Sequence, residues 1–336
     1  MAYVVDVWYT PPCRKEGAKK DSSSVGIANK LASLQRIATL AITGALHSIA
    51  TDILDLHAGT RPVRLLLLTL CHRAALRLAS LPDGHPLHAI YRTRTRWYVK
   101  THRSPLHELP SIFSIVPNSI ETRSPIQSSP THEMKASVTT LAPSKEDSTV
   151  NVQMVPGVIQ VFSDSSGLDG QIGAAAVMYR PGSGPGPKTL RYHLGPASEH
   201  TVFKAEAVGL LLALHMLSFE CDVVWAMIQS DSQVVLMVLE AHTSGPAQNI
   251  IDEVVMQIES NWAAARHPAY HLEITWVKGH NGAEGNEKAD AEAKVAVGGR
   301  TSQRHNLPVF LTESSLPQSI AARRQAFNKV LGKKWA

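Results

Sequence analysis

Four carboxylates and one imidazole stand where they could do chemistry together: Asp164, Glu206, Asp231, Asp290 and His280. Asp164 ends the β-like run Val158-Ile159-Gln160-Val161-Phe162, and Asp231 closes a second such run, Val223 to Ser230. Glu206 opens the apolar stretch Ala207 to Leu214. Asp290 belongs to a polar helix that follows a third strand and the turn Lys278-Gly279-His280-Asn281-Gly282. Acids gathered from strand ends and helix starts suit a pair of Mg²⁺ ions, which take hard oxygen ligands and keep several waters, so that a few carboxylates suffice. Two such ions about 4 Å apart make water nucleophilic near neutral pH and neutralise the charge on a leaving oxygen, the two needs of phosphodiester hydrolysis. Without cations, acids so crowded repel one another and raise a pKa.

Each residue alone has a plainer reading. An Asp at a strand end is commonly a turn former, and a Glu at a helix start complements the helix dipole. Asp290 competes with Glu284, Glu287 and Glu292 on what could be a solvated helix face, and His280 is one of 16 histidines. The joint pattern is what points to a site.

The elements that must position these groups fall in residues 156–298. Val158–Ser163, Ile172–Arg180 and Thr189–Leu194 read as strands, with Pro181 to Pro187 a loop joining the last two as a hairpin. A helix near Val202–Phe219, a strand near Val223–Ser230 and helices near Ser232–His242 and Ala247–Arg266 follow. The alternating, β-branched run His271–Val277 is the last strand, before the helix of Asp290. The order βββαβααβα predicts an α/β fold, a mixed five-stranded sheet flanked by helices.

Four segments carry a resemblance: Phe162-Ser163-Asp164-Ser165-Ser166-Gly167, Phe203-Lys204-Ala205-Glu206, Gln229-Ser230-Asp231-Ser232, and Trp276-Val277-Lys278-Gly279-His280-Asn281-Gly282 running to Gly285-Asn286-Glu287-Lys288-Ala289-Asp290. In this order they resemble ribonuclease H type 1 domains, in the divergent form that ends the polyproteins of non-LTR (LINE-like) retrotransposons of fungal type. The resemblance covers about residues 156–298, under half of the chain. It implies a ribonuclease H-like fold and hydrolysis of the RNA strand of an RNA/DNA hybrid by two Mg²⁺ ions, with Mn²⁺ able to substitute, leaving 3′-hydroxyl and 5′-phosphate ends. It further implies that Asp164 bridges both metals, that Glu206 and Asp231 complete one site and Asp290 the other, and that His280 shuttles a proton or helps product leave, a role suited to histidine, whose unperturbed imidazole titrates near neutrality.

One departure stands out: Ser165 occupies a place where the family usually has Gly, which would let the backbone approach the sugar-phosphate closely. Ser165, Ser166, Gly167 and Asn281 are the expected substrate contacts, since reading a 2′-hydroxyl in the shallow minor groove falls to backbone and small polar groups. The stretch Ser244–His271, where some relatives carry a basic protrusion, holds only Arg266 among basic residues other than His. The densest basic run is Arg92 to Arg103, with Trp97 and Tyr98 interleaved, a candidate surface for other nucleic acid.

The remaining chain divides into a helical region at 1–100, a Pro/Ser/Thr-rich linker at 101–155 and a polar tail at 299–336 with a short basic helix around Ala321–Lys334. In the first region Ile27, Leu31, Leu34, Ala38, Ala41 and Ala45 recur at helical spacing, Gly44 sits inside that pattern and can either end or weaken the helix, and Pro62 can stand at the first turn of another with Val63, Leu66, Leu67 and Leu70 on its buried side. This region resembles the helical segment between polymerase and ribonuclease H in the same retrotransposon proteins, although no aromatic-x-Asp-Asp polymerase signature occurs. The 44% hydrophobic content supplies a core, and the net charge of +5 favours an acidic partner. Three well-spaced cysteines and the absence of a signal peptide imply an intracellular protein of nucleus or cytoplasm, not a secreted one. Arginines bracket Leu65–Leu68 too closely for a membrane span. Two rivals stay open: a catalytically weak or inactive nucleic-acid-binding remnant, which Ser165 favours, and another nuclease of related sheet topology such as a transposase or junction resolvase.

Overall fold

The computed structural model describes residues 5–12, 24–88, 91, 105–123, 136–139, 157–182, 186–220, 222–241, 245–279 and 283–335. They form two units, Met1–Ile120 with Arg324–Ala336, and Glu121–Arg323.

The first unit is helical: α1 (Val5–Trp8), α2 (Val25–Thr43), α3 (Thr51–His57), α4 (Val63–Ala79) and the short α5 (Leu109–Ile112). Gly44 ends α2 in the left-handed region at φ 64°, its N–H donating to the Leu40 carbonyl. Pro62 immediately precedes α4, whose second half is buried nearly all round through Cys71, Ala74, Ala75, Leu76 and Leu78. The periodic stripe of α2 does not face inward as its spacing predicts. Ile27, Leu34, Ile37 and Ile42 are exposed, whereas Ala28 and Thr39 are buried. Polar side chains set this rotation. Gln35 bridges the Asp55 carboxylate, the Arg61 carbonyl and the Val63 N–H, and Arg36 donates to Thr51, His47 and Ile49. No helix among the described residues is long and apolar enough to cross a membrane.

The second unit holds the sheet: β1 (Ser137–Thr139), β2 (Ile159–Leu168), β3 (Gln171–Tyr179), β4 (Lys188–Pro196), β5 (Trp225–Ser230) and β6 (His271–Trp276), with spatial order β1-β6-β5-β2-β3-β4. Its helices are α6 (Val202–Leu217), α7 (Gln233–Ala241), α8 (Gln248–Ala264), α9 (Glu284–Val297) and α10 (Val309–Glu313), and it includes the first residues of α11 (Ile320–Trp335). β2, β3 and β4 form antiparallel hairpins, while β2–β5, β5–β6 and β6–β1 are parallel. The predicted order is observed, with β1 as a sixth strand. Residues 105–123 and 137–139 lie within the segment read as linker. There Leu109, Ile115 and Ile120, isolated apolar residues among Pro and Ser, are buried.

α6 and α9 lie on opposite faces of β2 and β3. Ile159 and Val161 pack with Val208, Leu211 and Leu212 of α6 in the main core, whereas Phe162 and Val177 pack with Ala289 of α9. Odd positions of β2 therefore face α6 and even positions face α9, as the two-residue period of a strand requires. Two glycines bring the helices close. A Cβ at Gly209 would meet the Asp164 carbonyl oxygen at 3.3 Å, and one at Gly173 would meet the Val297 amide nitrogen at 2.5 Å.

The segment beyond α9 is part of this core rather than a polar tail. Leu307, Leu311 and Leu316 join the main cluster. Glu121, buried, receives the Ile320 N–H at 3.0 Å and the Ala247 N–H at 3.4 Å, and its own N–H donates to the Gln318 carbonyl. Lys204, also buried, donates to the Pro317 carbonyl; burial lowers its pKa to about 8 against the opposing pull of Glu121.

Candidate active site

The register builds the site. The parallel ladder of β2 and β5 ends at the pair Ser163–Ser230, so the next residue on each strand, Asp164 and Asp231, stands at the same end of the sheet. Ligands in sheets of this kind gather beyond the carboxyl ends of parallel strands. β2 itself runs on to Leu168, paired antiparallel with β3, so Asp164 lies inside a strand opposite Ala175 and does not end it. The tight turn Asp169-Gly170 and the small residues 165–167 allow that extension. Glu206 sits in the second turn of α6, a helix capped by Thr201 Oγ1 accepting from the Lys204 N–H at 3.2 Å.

Asp164, Glu206 and Asp231 each present one carboxylate oxygen, and the three lie within 4.8 Å of one another. Asp164 is buried and the other two are half-buried. Burial raises Asp164 to about 7, with Asp231 the next cause, while the Ser165 amide and Lys294 oppose the shift. Burial raises Glu206 to about 8, again with Asp231 next. The Ser165 N–H donates to Asp164 Oδ1 at 2.6 Å, and the Ser165 hydroxyl donates to Glu206 Oε1 at 2.7 Å. Glu206 Oε2 is buried with no hydrogen-bond partner among the described residues.

Asp290 stands outside this trio. It is near enough to raise the pKa of Asp164, but Lys294, one helical turn on, holds its Oδ2 at 2.6 Å. The segment after β6 is moored beside Asp231. Val277 N–H donates to the Ser230 carbonyl at 2.9 Å, and Trp276 Nε1 donates to the Asp231 carbonyl at 3.1 Å. A Cβ on Gly279 would approach Asp231 Oδ2 to 2.9 Å, so glycine leaves that carboxylate its room. His280 and Asn281 lie outside the described residues, as does the basic run 92–103. Ser166 is half-buried and Gly167 exposed on the outer part of β2, opposite Gly173 and Ile172.

Two contributors were missed from sequence. Lys294 was signalled by its spacing of four residues from Asp290 on one helix face. The Ser165–Glu206 contact depends on the facing of α6 and β2, which no local pattern reveals.

The donor set fits a divalent cation. All three ligands are hard carboxylate oxygens, and Glu206 Oε2, with no partner among the described residues, is the kind of buried acceptor that calls for an ion or donor.

Residues 156–297 match the family model described as RNase H, and carry an RNase H domain with that family's fold. No curated protein matches the chain. Among solved structures the chain is similar to RNase H1 from the halophilic archaeon Halobacterium salinarum NRC-1, with 20% identity over 43% of this chain and 100% of that one and a TM-score of 0.33. It is similar also to the N-terminal RNase H domain of rv2228c from Mycobacterium tuberculosis, solved as a fusion with maltose binding protein, with 17% identity over 42% and 98% and a TM-score of 0.32. A third is LC11-RNase H1, isolated from compost, in complex with RNA/DNA hybrid, with 16% identity over 42% and 97% and a TM-score of 0.32.

Proposed function

We propose that the chain is a ribonuclease H, an endoribonuclease that hydrolyses the RNA strand of RNA/DNA hybrids with divalent cations, Mg²⁺ or Mn²⁺, and leaves 3′-hydroxyl and 5′-phosphate ends. The observation that carries this reading is the convergence of Asp164, Glu206 and Asp231 within 4.8 Å, inside a domain that matches the RNase H family.

In this reading Asp164, Glu206 and Asp231 would hold one cation, and Asp164 with Asp290 a second. Bound there, the cations supply Lewis acidity toward the phosphate and lower the pKa of water. The chain's own residues do the positioning. The β2–β5 register fixes Asp164 beside Asp231, the approach of α6 at Gly209 brings Glu206 to the end of the β2–β5 ladder, and the Trp276 indole braces the Asp231 backbone. Lys294 offsets negative charge at Asp290 and Asp164 while no cation is bound. His280 is assigned proton shuttling or product release, and Ser166, Gly167 and Asn281 contacts to the hybrid. The wider motif pattern supports an origin in a non-LTR retrotransposon protein, and an intracellular site of action goes with it.

The test is incubation of the full chain with a labelled RNA/DNA hybrid and Mg²⁺, with double-stranded RNA and double-stranded DNA as controls. Cleavage confined to the RNA of the hybrid is the expected result. Failure to cut under Mg²⁺ or Mn²⁺ would leave the non-catalytic remnant as the better reading.

A further inference from the structure

The alternation along β2 gives Ser165 a defined direction. Ile159 and Val161 face α6, and a Cβ on Gly209 of α6 would sit 3.5 Å from the Ser163 Cβ. Ser165, two residues past Ser163, falls on the same face, and Glu206 lies three residues before Gly209 on the same helix. The two side chains therefore meet, and the contact is a 2.7 Å hydrogen bond from the Ser165 hydroxyl to Glu206 Oε1. The same residue's N–H reaches Asp164 Oδ1 at 2.6 Å. One residue thus fastens two of the three clustered acids, and among the described residues Glu206 Oε2 has no hydrogen-bond partner.

Resting on the function proposed above, we propose that Ser165 is a positioning residue of the cation site. Its hydroxyl holds Oε1 so that Glu206 presents Oε2 as the ligand. A glycine here supplies the hydrogen bond from its N–H to Asp164 Oδ1 but cannot supply the one to Glu206, so the serine is an added support and not merely a lost glycine. Groups that hydrogen-bond the ligands of a metal orient them, and their loss lowers metal affinity about 10- to 100-fold.

The experiment measures Mn²⁺ binding to the full chain by calorimetry in the absence of nucleic acid, for wild type, Ser165→Ala, Ser165→Gly and Ser165→Thr, with a thermal melt to certify folding. Loss of affinity by about tenfold or more in both Ala and Gly, with recovery in Thr, is expected. On hybrid substrate, Ala and Gly should both need more cation for half-maximal rate. The Gly variant alone should lower KM, because only glycine, lacking a Cβ, lets the backbone here approach the sugar-phosphate closely. Unchanged Mn²⁺ affinity in folded Ser165→Ala overturns the positioning role while leaving the proposed function standing. Wild-type protein that neither binds Mn²⁺ nor cuts hybrid overturns both.

Discussion

Lys294 Nζ lies 2.6 Å from Asp290 Oδ2, and its charge also reaches Asp164. The ammonium stands beside the acids in a place where cations would compete with it. Lys294→Ala should therefore bind Mn²⁺ or Mg²⁺ more tightly than wild type and, under chelator, melt at a lower temperature. Calorimetry and a melting curve check both. Equal or weaker cation affinity in the variant would show that Lys294 is only a surface partner of Asp290.

The raised carboxyls make metal-free stability depend on pH with a defined sign. Asp164 and Glu206 have ordinary values of 3.8 and 4.5, and the fold lifts them to about 7 and about 8. In that window the folded chain keeps protons that the unfolded chain has released. Their contribution to stability is fully present below the ordinary values and is lost as pH rises through 7 and then 8. In chelator the melting temperature should fall between about pH 5 and pH 8, beyond any fall in a chain carrying Glu206→Gln. Added cation should restore it at the upper pH and do little at the lower, where the ligands are protonated.

Asp231→Asn keeps the shape of the side chain but removes a charge that both other acids feel. Cleavage should drop on the order of a thousandfold or more, the loss expected when several kcal/mol of cation-borne stabilisation disappear. Hybrid binding and the melting curve should stay close to wild type. Near-normal turnover in this variant would remove Asp231 from the site.

Residues beyond the family match hold up its core. Leu307, Leu311 and Leu316 are buried in the main cluster, each worth about 2 kcal/mol of burial. Glu121 and Lys204 anchor the segment that follows them. A fragment limited to 156–298 should melt far below one spanning 121–323, as read by far-ultraviolet circular dichroism. Matching midpoints would mean these contacts are dispensable.

For the run Arg92 to Arg103, removal of Arg92, Arg94, Arg96 and Lys100 together should flatten the slope of log affinity against log salt by about two to four units, since each duplex phosphate contact contributes about 0.9. The rate at saturating hybrid should stay nearly the same. An unchanged slope would assign the run to a solvated surface.

Much of this was legible in the chain. Asp164 and Asp231 could be placed because strands announce themselves by β-branched runs, and both carboxylates follow such runs directly. The order of elements in 156–298 came through for the same reason, since each element there is long and strongly patterned. What failed was what depends on partners. The stripe Ile27–Leu34 looked like a buried face, yet Gln35 and Arg36 turned the helix the other way through hydrogen bonds to residues 47–63. Ser137–Thr139 was invisible as a strand because three residues carry no period and need β6 to define them. The contact between Ser165 and Glu206 joins residues 41 apart and exists only once a helix has docked.

The sheet's two margins are both finished by polypeptide from outside 156–297. On one side β1 lies along β6. On the other, Ser302 exchanges bonds with the Arg191 N–H and C=O, and Thr301 Oγ1 accepts from the His193 N–H at 3.0 Å. A bare strand margin is a template on which another chain can add itself. These two short selvedges therefore protect against self-association, and a fragment trimmed to the recognisable domain would be prone to polymerise through strands that the whole chain keeps occupied.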